Sequence, residues 1–156
     1  MKTNLILVGK TADKHFQAGI SDYAERISHY MPFDIVTIPE LRNTKNLTEQ
    51  QQKTMEGELI LKQLQPTDTV VLLDEHGIEL RSVDFARWLS QKQQTARRLV
   101  FIIGGPYGFS DGVYARANEK LSLSQMTFSH QMVRLIFTEQ LYRACTIIKG
   151  EPYHHE

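Results

Sequence analysis

A single cysteine, Cys145, in a chain of 156 residues leaves nothing to pair into an internal disulfide and no set of thiolates for a metal cluster. That scarcity agrees with a reducing compartment. Long apolar runs are also missing: the longest uninterrupted aliphatic and aromatic stretch, Leu99-Val100-Phe101-Ile102-Ile103, falls far short of the roughly 20 residues needed to cross a bilayer. The start of the chain has only Leu5-Ile6-Leu7-Val8 between Asn4 and Gly9-Lys10, too short an apolar stretch for a signal peptide. The expectation is a cytoplasmic protein. Charge of one sign is absent as well, 18 Lys+Arg standing against 18 Asp+Glu, which excludes a protein that coats nucleic acid by bulk electrostatics. A local basic site stays open. Nine Gly and five Pro are too few for a fibrous or low-complexity chain. What is present, 41% hydrophobic and 23% charged residues, is ordinary globular usage, and the length suits one domain spanning 1–156.

Short β-type runs alternate with longer helical ones, without internal repeat or linker. Residues 4–9 read as a buried strand ending in Gly. Over residues 16–30, Phe16, Ile20, Tyr23, Ala24, Ile27 and Tyr30 recur at helical spacing, and Met31-Pro32 ends the helix. Residues 33–38 form a second strand, and Thr48 caps a helix running to about Leu64. A third strand over residues 69–73 gives way to a loop, Asp74-Glu75-His76-Gly77, and Ser82 caps the next helix. The fourth strand covers residues 99–103 and ends in Gly104-Gly105-Pro106-Tyr107-Gly108. Asp111 caps a short helix, residues 121–128 hold a fifth short strand and a loop, and a last helix runs from about His130 to Lys149. Strands separated by helices five times over imply an α/β fold with a mostly parallel sheet and helices on both faces.

In open α/β sheets a ligand sits beyond the carboxyl ends of the strands. Three segments qualify: the loop after Leu73, the loop 104–108, and residues 122–128. The glycine loop permits close backbone approach to a ligand, and is equally readable as a plain strand-to-helix turn. Its spacing is not G-x-G-x-x-G, and no G-x-x-x-x-G-K-[ST] occurs, which disfavours NAD and ATP. The last helix carries one apolar stripe, Val133, Phe137, Leu141, Ala144, Cys145 and Ile148, and another, Met132, Ile136 and Ile147. One side is expected on the chain's own sheet and the second on a partner subunit, most economically in a two-fold dimer. Arg134, a cation near the start of that helix, is either an anion ligand or a surface residue paired with a local carboxylate. Glu139 and Arg143 have the spacing of a helix ion pair. His154 and His155 are candidate bases or simply exposed imidazoles. Asp74, Glu75 and His76 lack matching ligand spacing elsewhere, so no metal site is expected.

Five blocks carry a family resemblance: Ile103-Gly104-Gly105-Pro106-Tyr107-Gly108; Leu121-Ser122-Leu123-Ser124-Gln125-Met126-Thr127-Phe128; His130-Gln131-Met132-Val133-Arg134; Glu139-Gln140-Leu141-Tyr142-Arg143-Ala144; and Pro152-Tyr153-His154. In this order, along the full chain, they resemble the bacterial ribosomal RNA large subunit methyltransferase H family, of the SPOUT class. The resemblance implies an α/β sheet with a C-terminal trefoil knot, a homodimer, and methyl transfer from S-adenosylmethionine to N3 of a pseudouridine in 23S rRNA within assembled ribosomes. It places the cofactor against Leu73, Gly104, Leu123, Ser124, Gln125, Met126, Thr127 and Phe128. It makes His154 the leading candidate base, with Tyr153 positioning the uracil ring. Arg134 and Arg143 are then the groups for RNA phosphate or for charge on the deprotonated base, with His130 supporting the pocket. The chain has no appended RNA-binding domain, and at His155 it departs from the basic residue more usual in the family. Neither membrane nor metal enters this picture. The competing readings are a knotted methyltransferase acting on tRNA or another rRNA position, a non-enzymatic ribosome-associated binding module, and a flavodoxin-like regulator.

Overall fold

The computed structural model describes residues 1–156. Strands β1 (Lys2–Val8), β2 (Phe33–Ile38), β3 (Thr69–Glu79), β4 (Arg98–Ile103) and β5 (Glu119–Ser122) build one five-stranded sheet in the order β2-β1-β4-β3-β5. Every neighbouring pair is parallel. Helices α1 (Lys14–Ser28), α2 (Glu49–Lys62), α3 (Ser82–Thr95), α4 (Asp111–Arg116) and α5 (Met132–Ile148) cover both faces. A parallel sheet buried on both sides needs strands that are apolar at consecutive positions, and β1 and β4 meet that need. Side-chain alternation then splits the core in two. Leu5, Leu7, Leu99, Phe101 and Ile103 meet α1, α3 and α5 on one face. Ile6, Val8, Val100 and Ile102 meet α2 and α4 on the other.

Local chemistry fixes most boundaries. Thr48 and Gln51 form a reciprocal capping box at the start of α2. Ser110, rather than Asp111, caps α4 by accepting from the Val113 amide, and Arg81, rather than Ser82, occupies the cap position of α3 without a side-chain bond. The expected loop after Leu73 is instead a continuation of β3. Leu73 and Ile78 both register against Leu121, so the polar residues between them form a bulge on a strand that still pairs with β5. Gly77 makes this possible, because a Cβ there would lie 2.6 Å from the Leu121 amide nitrogen. A polar run with a glycine looks like a loop to any pattern reading.

Part of the apolar surface of α5 is met within the chain itself. Besides the sheet, the helix is flanked by α1 and α3 of its own chain. Leu135 packs over Gly19 of α1, where a Cβ would approach its Cδ1 to 2.7 Å. Met132 at 43% and Ile148 at 38% stay exposed at the ends of α5, and Ile136 between them is half-buried. Cys145 is buried, and burial pushes its thiol pKa up to about 12, which makes it a core residue rather than a nucleophile. No helix is long and apolar enough to cross a membrane.

Candidate active site

Beyond the carboxyl ends of β4 and β5, and against residues 73–76 of β3, lies a cavity of about 560 Å³, within the usual range for a small-molecule site. Its walls come from the three segments that the sheet rule selects. Leu73, Gly104, Leu123, Ser124, Met126, Thr127 and Phe128 line it. Gln125 lies in an adjoining recess with Glu75 and Thr127. The glycine loop is shaped by its lack of side chains: a Cβ on Gly104 would meet the Phe109 ring at 3.0 Å, one on Gly105 would meet Glu56 Oε1 at 2.9 Å, and Gly108 has φ +83°. Across the cavity, Ser122 Oγ donates to the Ser124 carbonyl at 3.0 Å, and the Met126 amide donates to Ser124 Oγ at 2.9 Å. These bonds hold a tight turn and leave Met126 79% exposed at the rim.

One polar residue on the walls, Tyr114, is not singled out by the sequence. Tyr114 on α4 donates its phenol to Asp74 Oδ2, and the His76 amide donates to Asp74 Oδ1 at 2.8 Å. Burial works against ionisation of Asp74, but these bonds outweigh it and hold the carboxyl below its usual range. Burial, then the bond to Asp74, pushes the Tyr114 phenol upward, so it stays a donor. Thr127 donates to Glu75 Oε2 at 3.0 Å, tying the 122–128 segment to the bulge of β3. Nothing in the spacing pairs Tyr114 with a carboxylate 40 residues earlier. No group of three or more His, Cys, Asp or Glu is placed to hold a metal ion.

Arg134 is fully buried, with 0% of its surface exposed. Its guanidinium donates to the Val8 carbonyl at 2.7 Å, the Gly9 carbonyl at 2.9 Å, Thr11 Oγ1 at 2.9 Å and the His130 carbonyl at 3.0 Å. Helped by Gln131, whose side chain bonds the Ala12 amide and the Lys10 carbonyl, it fastens the start of α5 to the carboxyl end of β1. A guanidinium spent on backbone carbonyls inside the protein has no face for RNA phosphate. The expectation of a phosphate contact at Arg134 is therefore corrected to a clamp. Its positive charge at a helix N-terminus is tolerated because three carbonyl oxygens and the Thr11 hydroxyl surround it and the charge of Glu40 favours it.

The remaining candidates gather on the other half of α5. Glu139 Oε1 accepts from Arg143 Nη2 at 2.6 Å, from Arg143 Nε at 3.1 Å and from the Tyr153 hydroxyl at 3.0 Å. Arg143 Nη1 lies 3.0 Å from His154 Nδ1, and the guanidinium carbon sits 4.9 Å from the centre of the Tyr153 ring. Burial, then bonds to Tyr23 and Glu139, drives the Tyr153 phenol upward, so it too remains a donor. The tail is pinned by Tyr30, which donates to Glu151 at 2.7 Å and is raised to about 12 by that bond and by burial. Glu139 is the hub that sequence reasoning treated as an ordinary ion-pair partner. Its spacing to Arg143 was legible; its grip on the tail was not. Val133 of α5 lines the cavity, whereas Glu139 and Arg143 lie six and ten residues further along. At a rise of 1.5 Å per residue this puts the tail cluster roughly 9–15 Å from the cavity along the helix.

A parallel α/β sheet with a small-molecule cavity at its carboxyl edge, closed by a C-terminal helix tied back to the first strand, defines the class. A family model described as "Predicted SPOUT methyltransferase" matches residues 1–154, and the chain belongs to the SPOUT methyltransferase family, enzymes that use S-adenosylmethionine. Among its curated relatives, a protein of Bacteroides fragilis named "Ribosomal RNA large subunit methyltransferase H" is 64% identical over 157 residues, covering 100% of both chains. Proteins with the same name from Phocaeicola vulgatus, 62% identical with 100% of each chain covered, and Christiangramia forsetii, 56% identical with 99% of each covered, are similar along the same length.

Proposed function

We propose that this chain methylates N3 of a pseudouridine in 23S rRNA within assembled ribosomes, as a homodimer with the cavity as its S-adenosylmethionine site. The observation that carries the reading is the cavity bounded by the 73–76, 103–109 and 121–130 segments, in a chain colinear with relatives named for methylation of large-subunit rRNA. The residues fit the cofactor: side-chain-free Gly104 and Gly105 leave room, Leu73, Leu123, Met126 and Phe128 supply apolar walls, and the backbone of the Ser124 to Thr127 turn offers donors and acceptors for a flat heterocycle. S-adenosylmethionine bound there supplies an electrophilic methyl group. Leu73, Gly104, Leu123, Ser124, Gln125, Met126, Thr127 and Phe128 are the residues assigned to hold it.

Tyr153, His154 and Arg143 are assigned to the substrate base, with Arg143 stabilising negative charge on the ring once N3 has lost its proton. Within one chain the tail cluster stands down the helix from the cavity, held there by Glu139. A two-fold axis crossing α5 near its middle superposes the tail half of one helix on the cavity half of the other, so a second copy brings the two parts together. The exposed Met132 and Ile148 at the helix ends and half-buried Ile136 between them supply an apolar surface for that contact. The trefoil knot belongs to the same reading. It is supported by the path of residues 123–131, which leave β5 at one edge and cross to the end of β1 before α5 begins.

The test supplies radiolabelled S-adenosylmethionine and the protein to ribosomes from cells lacking this enzyme, then maps the labelled nucleoside. Label on N3 of a 23S rRNA pseudouridine is the expected result. Label on tRNA or another rRNA position, or cofactor binding without transfer to any RNA, overturns the assignment.

A further inference from the structure

The contact between Arg143 and His154 has a fixed polarity. A guanidinium carries five N–H groups and no lone pair, so across the 3.0 Å separation Arg143 Nη1 must donate and His154 Nδ1 must accept. A neutral imidazole that accepts at Nδ1 carries its proton at Nε2. Protonating Nδ1 would set two N–H groups against each other and place a second cation beside the first. Rotation of the guanidinium cannot relieve this, because Glu139 Oε1 already holds its Nη2 and Nε edge. At the far side of the ring, Nε2 is shielded from water yet has no hydrogen-bond partner. The atom nearest to serving is Glu156 Oε1, 3.8 Å away on a half-exposed side chain that Arg81 engages at 3.3 Å. An orphaned N–H in a shielded position facing an anionic oxygen is the mark of a donor awaiting an acceptor.

We propose that His154 is a hydrogen-bond donor through Nε2–H, locked in that tautomer by Arg143 and Glu139, and that its acceptor is a carbonyl oxygen of the substrate base flanking the methylated nitrogen. Glu156 marks the place of that oxygen and moves aside for it. His154 is thereby removed as the acceptor of the ring proton, the role the family resemblance suggests, and the N3 proton passes to solvent water, leaving the ring anion to take the methyl group. Glu139 becomes a positioning residue, acting through Arg143. The identity of the acceptor rests on the proposed reaction, whereas the tautomer does not.

The tautomer is read directly in protein labelled with 15N-histidine, from two-bond 15N–1H correlations of the imidazole ring near neutral pH, with His154 assigned by its disappearance in His154→Gln. The expected pattern is a protonated Nε2 and a bare Nδ1, relaxing toward a tautomer mixture in Arg143→Met. A proton on Nδ1, or an imidazolium, in the wild-type protein overturns the proposal. Kinetics on ribosomes test the role. Glutamine at 154 can place an amide N–H near the ε position but cannot take up a proton. With a donor role, His154→Ala loses on the order of 10²-fold in kcat, while His154→Gln stays within about tenfold of wild type. With a proton-accepting role both fall together by roughly 10²- to 10⁴-fold, which refutes the donor. A rise in KM with unchanged kcat would show a ground-state grip, as on a phosphate, and would overturn the ring-oxygen assignment. If the wild-type protein methylates no ribosome, the proposed reaction and the acceptor fall together, and the spectrum still decides the tautomer.

Discussion

Replacing Arg134 by methionine isolates the clamp between β1 and α5. The side chain is fully buried and gives two of its bonds to the buried carbonyls of Val8 and Gly9. Each buried acceptor left without a donor costs about 1–3 kcal/mol, so the pair sets a loss of roughly 2–6 kcal/mol. Part of this is offset. Burial disfavours the charged guanidinium, as its lowered pKa records, and methionine fills much of the same volume without that penalty. The expected net destabilisation is about 2–4 kcal/mol, or roughly 4–16 °C in Tm for a domain of this size. Urea unfolding followed by circular dichroism should give a lower midpoint at an unchanged slope. S-adenosylmethionine affinity should fall as well, because His130 and Phe128, just before the clamp, line the cavity. A change below ~0.5 kcal/mol, combined with a ribosome-binding salt slope reduced by about one, would refute the clamp and restore a phosphate contact.

Gly104→Val should lower S-adenosylmethionine affinity at least tenfold by calorimetry while the fold survives, since its Cβ meets at 3.0 Å the ring of Phe109, which itself lines the cavity; unchanged affinity would remove the loop from the site. Ile136→Asp places a charge within the proposed α5 contact and should convert a dimer to monomer in sedimentation at micromolar concentration, whereas a persistent dimer would move the interface elsewhere. Asp68→Asn removes a carboxylate with a fully buried side chain, bonded by Arg98 at 2.5 and 2.9 Å, and should cost about 3 kcal/mol near neutral pH. Burial opposes ionisation of Asp68, but the bonds from Arg98 and the Gln65 amide hold its pKa below the usual value. Its contribution is therefore complete above the unfolded value near ~4 and is lost as pH falls through the lower folded value. The gap between wild type and Asp68→Asn in a urea titration series should narrow on acidification; a constant gap would contradict the pair's role.

The sheet and its cavity were legible because they follow from local and general rules. Consecutive apolar residues in β1 and β4 announce strands covered on both faces, and the strand-end rule then selects the 104–108 and 122–128 segments without knowing the strand order. What stayed hidden depends on contacts distant in sequence. Residues 74–77 continue β3 because β5, more than 40 positions later, pairs beside them through Gly77. Arg134 shows only a misplaced cation in the helical pattern, since its partners are carbonyls of β1. Of the second apolar side of α5, which suggested another subunit, Ile147 packs into the chain's own core while Met132 is exposed and Ile136 half-buried. His154 illustrates a finer limit. Its residue type marks a group that titrates near neutrality, but which nitrogen holds the proton is set by a neighbour eleven positions away.

The bonds from Arg134 to Val8 and Gly9 join residues 126 and 125 positions apart, and β1 also waits for β4 to cover its inner edge. During synthesis the first strand therefore emerges long before the partners that finish it. An unfinished chain that stops short of α5 exposes the apolar side of β1 and β4 meant for Phe137 and Leu141 and leaves the carbonyls at the end of β1 uncapped. Such a chain is a target for chaperones or self-association rather than a partly working enzyme. Closure of the core thus waits for α5, whose Arg134 lies 126 positions after the carbonyl of Val8 that it caps.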